Sequence, residues 1–340
     1  IAAMDLSKKA VAKLMRKQVY LLSQKKKKEL FKPIENIIHP VRTKLIRKEL
    51  KASQLIGKTQ DGKHIYLFDY MPNSSVMREI GRLRELSFRQ VQEGTGNALD
   101  IDSYDRYYRH LILWDEDELE IIGSYRIGEA AKILKKHGEA GLYTHSLFKF
   151  NPSFIPYLEH SIELGRSFIQ PRYQGKRSLD YLWYGIGAYL YQHPEIRYLI
   201  GPISLSTSWP EPAQKVIASF YTTLFGNHKT LVDPRLPFDF ELIQEFAPFK
   251  QVADEENYKQ AYAILKALMD DFGVKVPILY KQYVELCQPG GCEFLGFNID
   301  PSFSNCVDAL ILVHINTIKE KKHQRYIESH AAVFQKRDSA

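Results

Sequence analysis

Apolar positions along the chain recur with two periods, two residues in some stretches and three to four in others, and each change of period marks a new element. Residues 64–70 (His-Ile-Tyr-Leu-Phe-Asp-Tyr) alternate as a strand does. Ser74 or Ser75 is a helix cap, and the periodicity behind it predicts a helix to about residue 92. Residues 107–114 and 119–127 read as two strands joined by the acidic turn Asp115-Glu116-Asp117-Glu118. A strand at 161–169, a helix at 178–192, a strand at 196–205 and a helix at about 212–225 follow. After a looser stretch come helices near 258–271 and 278–287, then strands at 292–299 and 306–315. This order is mixed α/β, with no internal repeat and no low-complexity linker. Residues 227–237 read as an excursion between a main fold and a C-terminal addition.

Composition narrows the class. A chain of 340 residues with 44% hydrophobic content buries one large core or two ordinary ones. No run approaches the roughly 18–20 apolar residues of a membrane-spanning helix, and the start lacks the order of a secretory signal. The expected location is cytoplasmic. Cys287, Cys292 and Cys306 have no metal-ligand spacing and read as reduced thiols; no metal is expected. Because the chain opens on Ile1, it is expected to be cut from something longer.

Charge changes the picture at one end only. Residues 1–50 hold 14 Lys/Arg against 4 Asp/Glu, so they carry +10 and the other 290 residues −3 of the net +7. Val11, Leu14, Met15, Val19 and Leu22 recur at helical spacing among Lys8, Lys9, Lys13, Arg16 and Lys17, with Lys25 to Lys28 beyond. This is a basic amphipathic helix, packed on its own protein with a solvated basic face or drawn to anionic lipid or an acidic carrier protein. Without a reader motif, nucleic acid is not an expected partner.

Three places set charge inside apolar pattern. On the helix at 74–92, Arg84 lies in the stripe of Ile80, Phe88 and Val91, opposite a face of Arg78, Arg82, Glu85 and Arg89. A buried arginine needs a carboxylate or a ligand. The glycine-loosened loop after it offers Asp102 and Asp105, as partners or as ordinary turn residues. Second, the strand at 161–169 carries Glu163 and Arg166. Residues three apart on a strand face opposite ways, so both reach one cleft only across a bulge, which Gly165 permits. Third, Arg172-Tyr173-Gln174-Gly175-Lys176-Arg177 precedes a helix start, a combination that holds phosphate. The small residues Gly185 and Gly187 allow that helix to approach the strands closely.

Arg84 with Phe88, Asp102-Ser103-Tyr104-Asp105, Gly123-Ser124-Tyr125-Arg126 and Glu163-Leu164-Gly165-Arg166-Ser167-Phe168 resemble, in order and spacing, the acyl-homoserine lactone synthases. They resemble still more the N-acyl amino acid synthases and the ornithine or glycine lipid N-acyltransferases of the GNAT superfamily. The resemblance is strongest over 74–210 and extends loosely through Phe294 to Asp300 and Val307-Asp308. It also covers the C-terminal half of two-domain, hemolysin-like bacterial proteins with a lysophospholipid-type acyltransferase. It implies a GNAT-like mixed, mostly antiparallel central sheet with flanking helices and a C-terminal extension. The divisions expected are a basic segment or junction at 1–60, a core at 61–226, the extension at 227–325 and a tail at 326–340.

The resemblance further implies transfer of a fatty acyl group from acyl carrier protein, or acyl-CoA second, to the amine of an amino acid such as ornithine or glycine. No cofactor is permanently bound; the co-substrate's phosphopantetheine enters a splayed central strand. Arg172, Gly175, Lys176 and Arg177 would hold its phosphate, although Arg177 departs from the usual Q/R-x-x-G-x-G/A pattern, which disfavours CoA. Glu163 is the expected base, or else a structural ion pair with Arg84 or Arg126. Arg126 and Arg166 would orient carboxylates; Arg84, Phe88, Asp102, Asp105 and Ser167 would line the substrate site. The rival class is a non-catalytic acyl-chain or carrier-protein binding domain that regulates a fused lipid acyltransferase. His64 with Asp69 and His110 with Asp115 match the H-x-x-x-x-D spacing of glycerolipid acyltransferases. On a strand such pairs lie roughly 16 Å apart on opposite faces and form no dyad.

Overall fold

The computed structural model describes residues 7–22, 34–227, 229–250 and 255–331; the basic run Lys25 to Lys28 and residues 332–340 of the expected tail lie outside them. Ten strands are described: β1 (Gln54–Lys58), β2 (His64–Asp69), β3 (Arg109–Asp115), β4 (Glu120–Glu129), β5 (Phe148–Phe150), β6 (Ser161–Ile169), β7 (Tyr198–Leu205), β8 (Val232–Pro234), β9 (Cys292–Asp300) and β10 (Cys306–His314). Eight form one sheet in the order β1-β2-β3-β4-β6-β7-β10-β9, and β5 pairs with β8 alone. The sheet is mixed and mostly antiparallel. Its parallel contact, β6 on β7, covers only Ser161–Glu163 against Tyr198–Ile200. A parallel pair needs a crossover, and the helix Ser178–Gln192 supplies it.

Both faces of the sheet are covered, so its strands are apolar on both sides. Ile65, Leu67, Leu111 and Leu113 pack with Leu182, Ile186 and Tyr189 on one face. Tyr66, Phe68, Ile112 and Trp114 pack with Val76, Ile80 and Leu83 on the other. The second face belongs to the helices Thr43–Lys51 and Ser75–Gln90, which are joined by a polar clasp. Ser74 Oγ accepts from Met77 N–H at 3.1 Å, and Glu49 accepts from Ser74 Oγ–H at 2.6 Å and from the Ser75 and Val76 N–H groups. Residues 43–58, set apart as a junction, therefore supply a helix and an edge strand of this sheet. The closing strands of the expected extension also join it, β10 pairing with β7 from Val307 to His314.

Two details differ from expectation. Gly185 meets strand side chains, Ile65 and Leu111, but a Cβ at Gly187 would lie 1.7 Å from the Tyr326 carbonyl oxygen, so there the close approach is to the C-terminal segment. Tyr326, Ile327 and His330 are buried against this helix. Glu85, placed on the polar face by its spacing, is fully buried. The loop after the helix folds over it and donates from Thr95 N–H, Thr95 Oγ–H and Gly96 N–H.

Candidate active site

The site begins where β6 leaves its neighbours. On one edge the register runs Arg126–Gly165 and then Ser124–Phe168, so Arg166 and Ser167 together face the single residue Tyr125. This is a bulge. The backbone that bends into the left-handed region belongs to Arg166, at φ +47°, and not to Gly165. On the other edge the pairing with β7 ends at Glu163–Ile200, and a Cβ at Gly201 would come within 2.1 Å of the Leu164 carbonyl oxygen. The strands cross closely there and diverge beyond.

Arg166 fills the start of the gap with its side chain 9% exposed. Its guanidinium carbon lies 4.8 Å from the Tyr143 ring centre and 4.7 Å from that of Phe303. Its polar contacts are long: 3.3 Å to Tyr143 Oη, 3.5 Å to Asp100 Oδ2 and 3.6 Å to Asp102 Oδ2. Behind it lies a tighter network. Arg84 Nη1 donates to Asp105 Oδ1 at 2.8 Å; Arg126 Nη1 donates to both oxygens of Asp102, at 2.7 and 2.8 Å, and reaches Asp105 at 3.3 Å. Arg84, Arg126 and Asp105 are all buried. Burial alone would raise the Asp105 carboxyl, but Arg84 and then Arg126 outweigh it and hold the group well below the usual range. Tyr104, Tyr108 and Tyr143 place their rings 5.1–5.6 Å from Arg126.

His110 completes this network, its Nε2 lying 3.3 Å from the Asp105 carbonyl oxygen and its Nδ1 3.3 Å from Arg84 Nη2. Burial and Arg84 push its pKa down to about 4. The unfolded chain, titrating near 6.5, therefore binds more protons than the folded one between those values. Stability is expected to fall as pH drops from about 6.5 to 4, and a His110→Gln variant should show a flatter slope of urea midpoint against pH across that window.

Glu163 does not join the cleft. It is 1% exposed, and its carboxylate is spent on Tyr108 and the segment at 143–146: Oε2 accepts from Tyr108 Oη–H and from Tyr143 N–H at 3.1 Å, and Oε1 accepts from Thr144 N–H at 2.6 Å. The ion pair expected with Arg84 or Arg126 is likewise replaced by these donors. Glu163 lies on the same face of the sheet as Arg166, since Tyr143 donates its N–H to Glu163 and lays its ring on Arg166, but these donors hold the carboxylate short of the opening.

The opening is a cavity of about 430 Å3 that takes in Arg166, Ser167 and Phe88 from the expected set, with Arg84, Arg126, Asp102 and Asp105 behind it. Its walls are otherwise largely apolar, including Ile203, Leu279 and Trp209. Two carboxylates that spacing did not single out also line it, Glu93 and Asp308. The second carried a visible signal, an acid inside the apolar run of β10.

The basic turn stands apart as the rim of a second hollow. Gly175 turns with φ +73°. Arg172 is half exposed and donates to Glu120 at 3.0 Å and Glu118 at 2.6 Å. Lys176 and Arg177 lie over the rings of Tyr173 and Tyr181, at 5.1 and 5.6 Å. The four residues share one surface, but acids of the β3–β4 turn already neutralise Arg172.

A short parallel contact that splays inside an antiparallel sheet, a bulge on the first strand and a basic turn leading into the crossover helix define an acyltransferase of the GNAT class. Residues 83–184 match the acetyltransferase (GNAT) domain family. The chain is 32% identical over 310 residues to a glycine N(alpha)-acyltransferase of Phocaeicola vulgatus, covering 87% of this chain and 94% of the relative. Against a glycine N(alpha)-acyltransferase of Bacteroides thetaiotaomicron it is 33% identical over 316 residues, 87% and 92% of the two chains. An L-ornithine N(alpha)-acyltransferase of Agrobacterium fabrum is 25% identical over 244 residues, 69% and 74%. The chain belongs to this family of N(alpha)-acyltransferases. Among solved structures, the CoA-dependent acyl-homoserine lactone synthase MesI overlaps 67% of this chain and 73% of its own at 10% identity, with a TM-score of 0.29.

Proposed function

We propose that the protein transfers a fatty acyl group from a carrier-protein thioester to the α-amine of a small amino acid, glycine first and ornithine second. The observation that carries this is Arg166. It is a buried guanidinium at the edge of the open cleft, its own acids held at 3.5 Å or more, and so it is placed to take an acceptor carboxylate bidentately. Apolar walls beside it suit an acyl chain. The turn 172–177 supports a carrier protein over CoA: with Arg172 engaged by Glu118 and Glu120, the turn suits one phosphate better than a pyrophosphate. Arg126 and Glu163 are proposed as positioning residues.

The test is mass spectrometry of products from long-chain acyl carrier protein or acyl-CoA with glycine and ornithine. N-acylglycine formed faster from the carrier thioester is the expected result. Thioester bound but unreacted with every amino acid would favour the acyl-binding domain instead.

Such a product is an amphiphile, and the helix Lys8–Leu22 supports delivery to a lipid surface. It carries Lys8, Lys9, Lys13, Arg16 and Lys17 with no acid, while Met15, Val19 and Tyr20 are exposed. Each cation near an anionic bilayer contributes about 1 kcal/mol. The protein is expected to sediment with phosphatidylglycerol vesicles and not with phosphatidylcholine vesicles. Changing Lys13, Arg16 and Lys17 to Glu should abolish that binding without altering turnover on soluble substrates. No described helix is long and apolar enough to cross a membrane.

A further inference from the structure

We infer that Asp308 is the proton acceptor of the cleft, with the Glu93 carboxyl lining the same cavity beside it. The inference rests on the acyl-transfer reading above and names the group that activates its nucleophile. Amino acids reach neutral solution as ammonium ions, which have no lone pair for attack. A site that acylates them needs a base within the cavity that holds the acceptor.

Only two carboxylates line that cavity among the described residues, and both are set up to take a proton. Asp308 stands on β10 opposite Ser204 of β7, whose Oγ–H donates to its Oδ1 at 2.6 Å; it is 1% exposed. Cys306 Sγ lies 3.7 Å from the same oxygen. The charged and titratable groups around it are Asp300 from β9, Arg166 from β6, Tyr143, Tyr280 from the helix Ile278–Leu286, and Glu93 just past the helix Ser75–Gln90. Burial, then the repulsion of Asp300, raises Asp308 to about 7; burial, then Asp308, raises Glu93 to about 8. Two carboxyls in one partly desolvated space resist ionising together, so the pair favours a captured proton. A base near the working pH is also the most effective one. Arg166 borders the same cavity, so one amino acid can place its carboxylate on the guanidinium and its nitrogen toward Asp308.

The step balances without a further reagent. Asp308 takes one proton from the ammonium, and the freed lone pair forms the C–N bond at the thioester carbonyl. The C–S bond then breaks, the second nitrogen proton leaves with sulfur, and the products are an amide and a free thiol. Asp308 returns its proton to water.

The test compares two acceptors in the full chain. Glycine must be deprotonated; aminooxyacetate carries the same carboxylate but an amine already neutral at pH 7. Asp308→Asn is expected to lose at least 100-fold in kcat/KM with glycine and less than 10-fold with aminooxyacetate. The wild type should show an acidic limb near pH 7 with glycine only, and Asp308→Glu should restore part of the rate. Equal losses on both acceptors, or an unchanged limb in a folded Asp308→Asn, would overturn the assignment. If that variant does not fold, absence of the limb in the wild type would overturn it as well. Wild-type enzyme that acylates neither acceptor would instead refute the acyl-transfer reading itself.

Discussion

Replacing Arg126 by methionine is expected to cost about 3–5 kcal/mol of stability at pH 7, the penalty for breaking a buried ion pair on one side. Methionine matches the length of the arginine stem and leaves no large void, so the loss reports charge more than packing. Arg126 now satisfies both oxygens of Asp102 and touches Asp105 among three tyrosine rings. Without it, the cation nearest Asp102 is Arg166 at 3.6 Å, beside the N–H groups of Tyr104 and Asp105 that donate to its Oδ1. The pH dependence has a definite sign. In the wild type, burial raises the Asp102 carboxyl but Arg126 outweighs it and brings the pKa below the ordinary value. The ion pair therefore contributes stability above about pH 4 and loses it as pH falls further. In the variant the partly buried Asp102 carboxylate loses its closest cation, its pKa rises, and protonation relieves part of the penalty. The deficit should be largest at pH 7 and shrink toward pH 4. Urea denaturation of both proteins across that range measures it, and a deficit under about 1 kcal/mol at pH 7 would refute the account of the network. Adding Asp102→Asn to the variant should recover part of the loss, because the two residues act as one unit.

The second large effect is expected at Glu163. A glutamine there keeps one acceptor oxygen but turns an amide NH2 toward donors, so at least one of Tyr108 Oη–H, Tyr143 N–H and Thr144 N–H loses its partner. Each buried unsatisfied donor costs about 1–3 kcal/mol. Tyr143 also donates to Asp300 at 2.6 Å and stacks on Arg166, so a shifted turn disturbs the cleft itself. Glu163→Gln is therefore expected to lower the melting temperature and kcat together while the acidic limb of the pH profile stays in place. A base behaves differently, since its removal abolishes the limb and spares the fold. A stable Glu163→Gln protein with no turnover and no limb would return the base to Glu163. This measurement and the Asp308 series decide between the two carboxylates.

Much of this site was legible wherever local periodicity carries the information. Arg84 falls in an apolar stripe at four-residue spacing, which marked it as a buried arginine in need of a ligand or a nearby acid. Asp105 is that acid. Parity along a strand likewise demanded a bulge if Glu163 and Arg166 were to share a cleft. A bulge exists and sets Arg166 on the face of Glu163, yet Glu163 is held by the Tyr143 and Thr144 N–H groups and does not line the cavity. Gly165 permits a bulge, but the left-handed backbone falls on Arg166, whose side chain is held by Asp100, Tyr143 and Phe303. Glu85 read as solvent-facing because helical spacing says nothing about a loop that later folds across it. His110 shows the same limit in reverse. The acid five residues after it lies on the far side of the strand, while the acid five residues before it returns through a turn to meet it.

The chain by itself determined most of the longer elements and their order, the basic helix and the burial of Arg84, because these depend on propensities and periods that act over a few residues. Tertiary structure decided which charges share a space. Asp308 meets Ser204 across 104 residues of sequence and faces a cavity that Arg166, Glu93 and Trp209 close from other elements. Glu163, the most conspicuous acid on the central strand, is claimed by the backbone of the Tyr143 segment before it can reach a substrate. A carboxylate becomes a base or a fastener according to which donors and charges surround it once water is gone. Those neighbours come from distant parts of the chain, and only the fold brings them together.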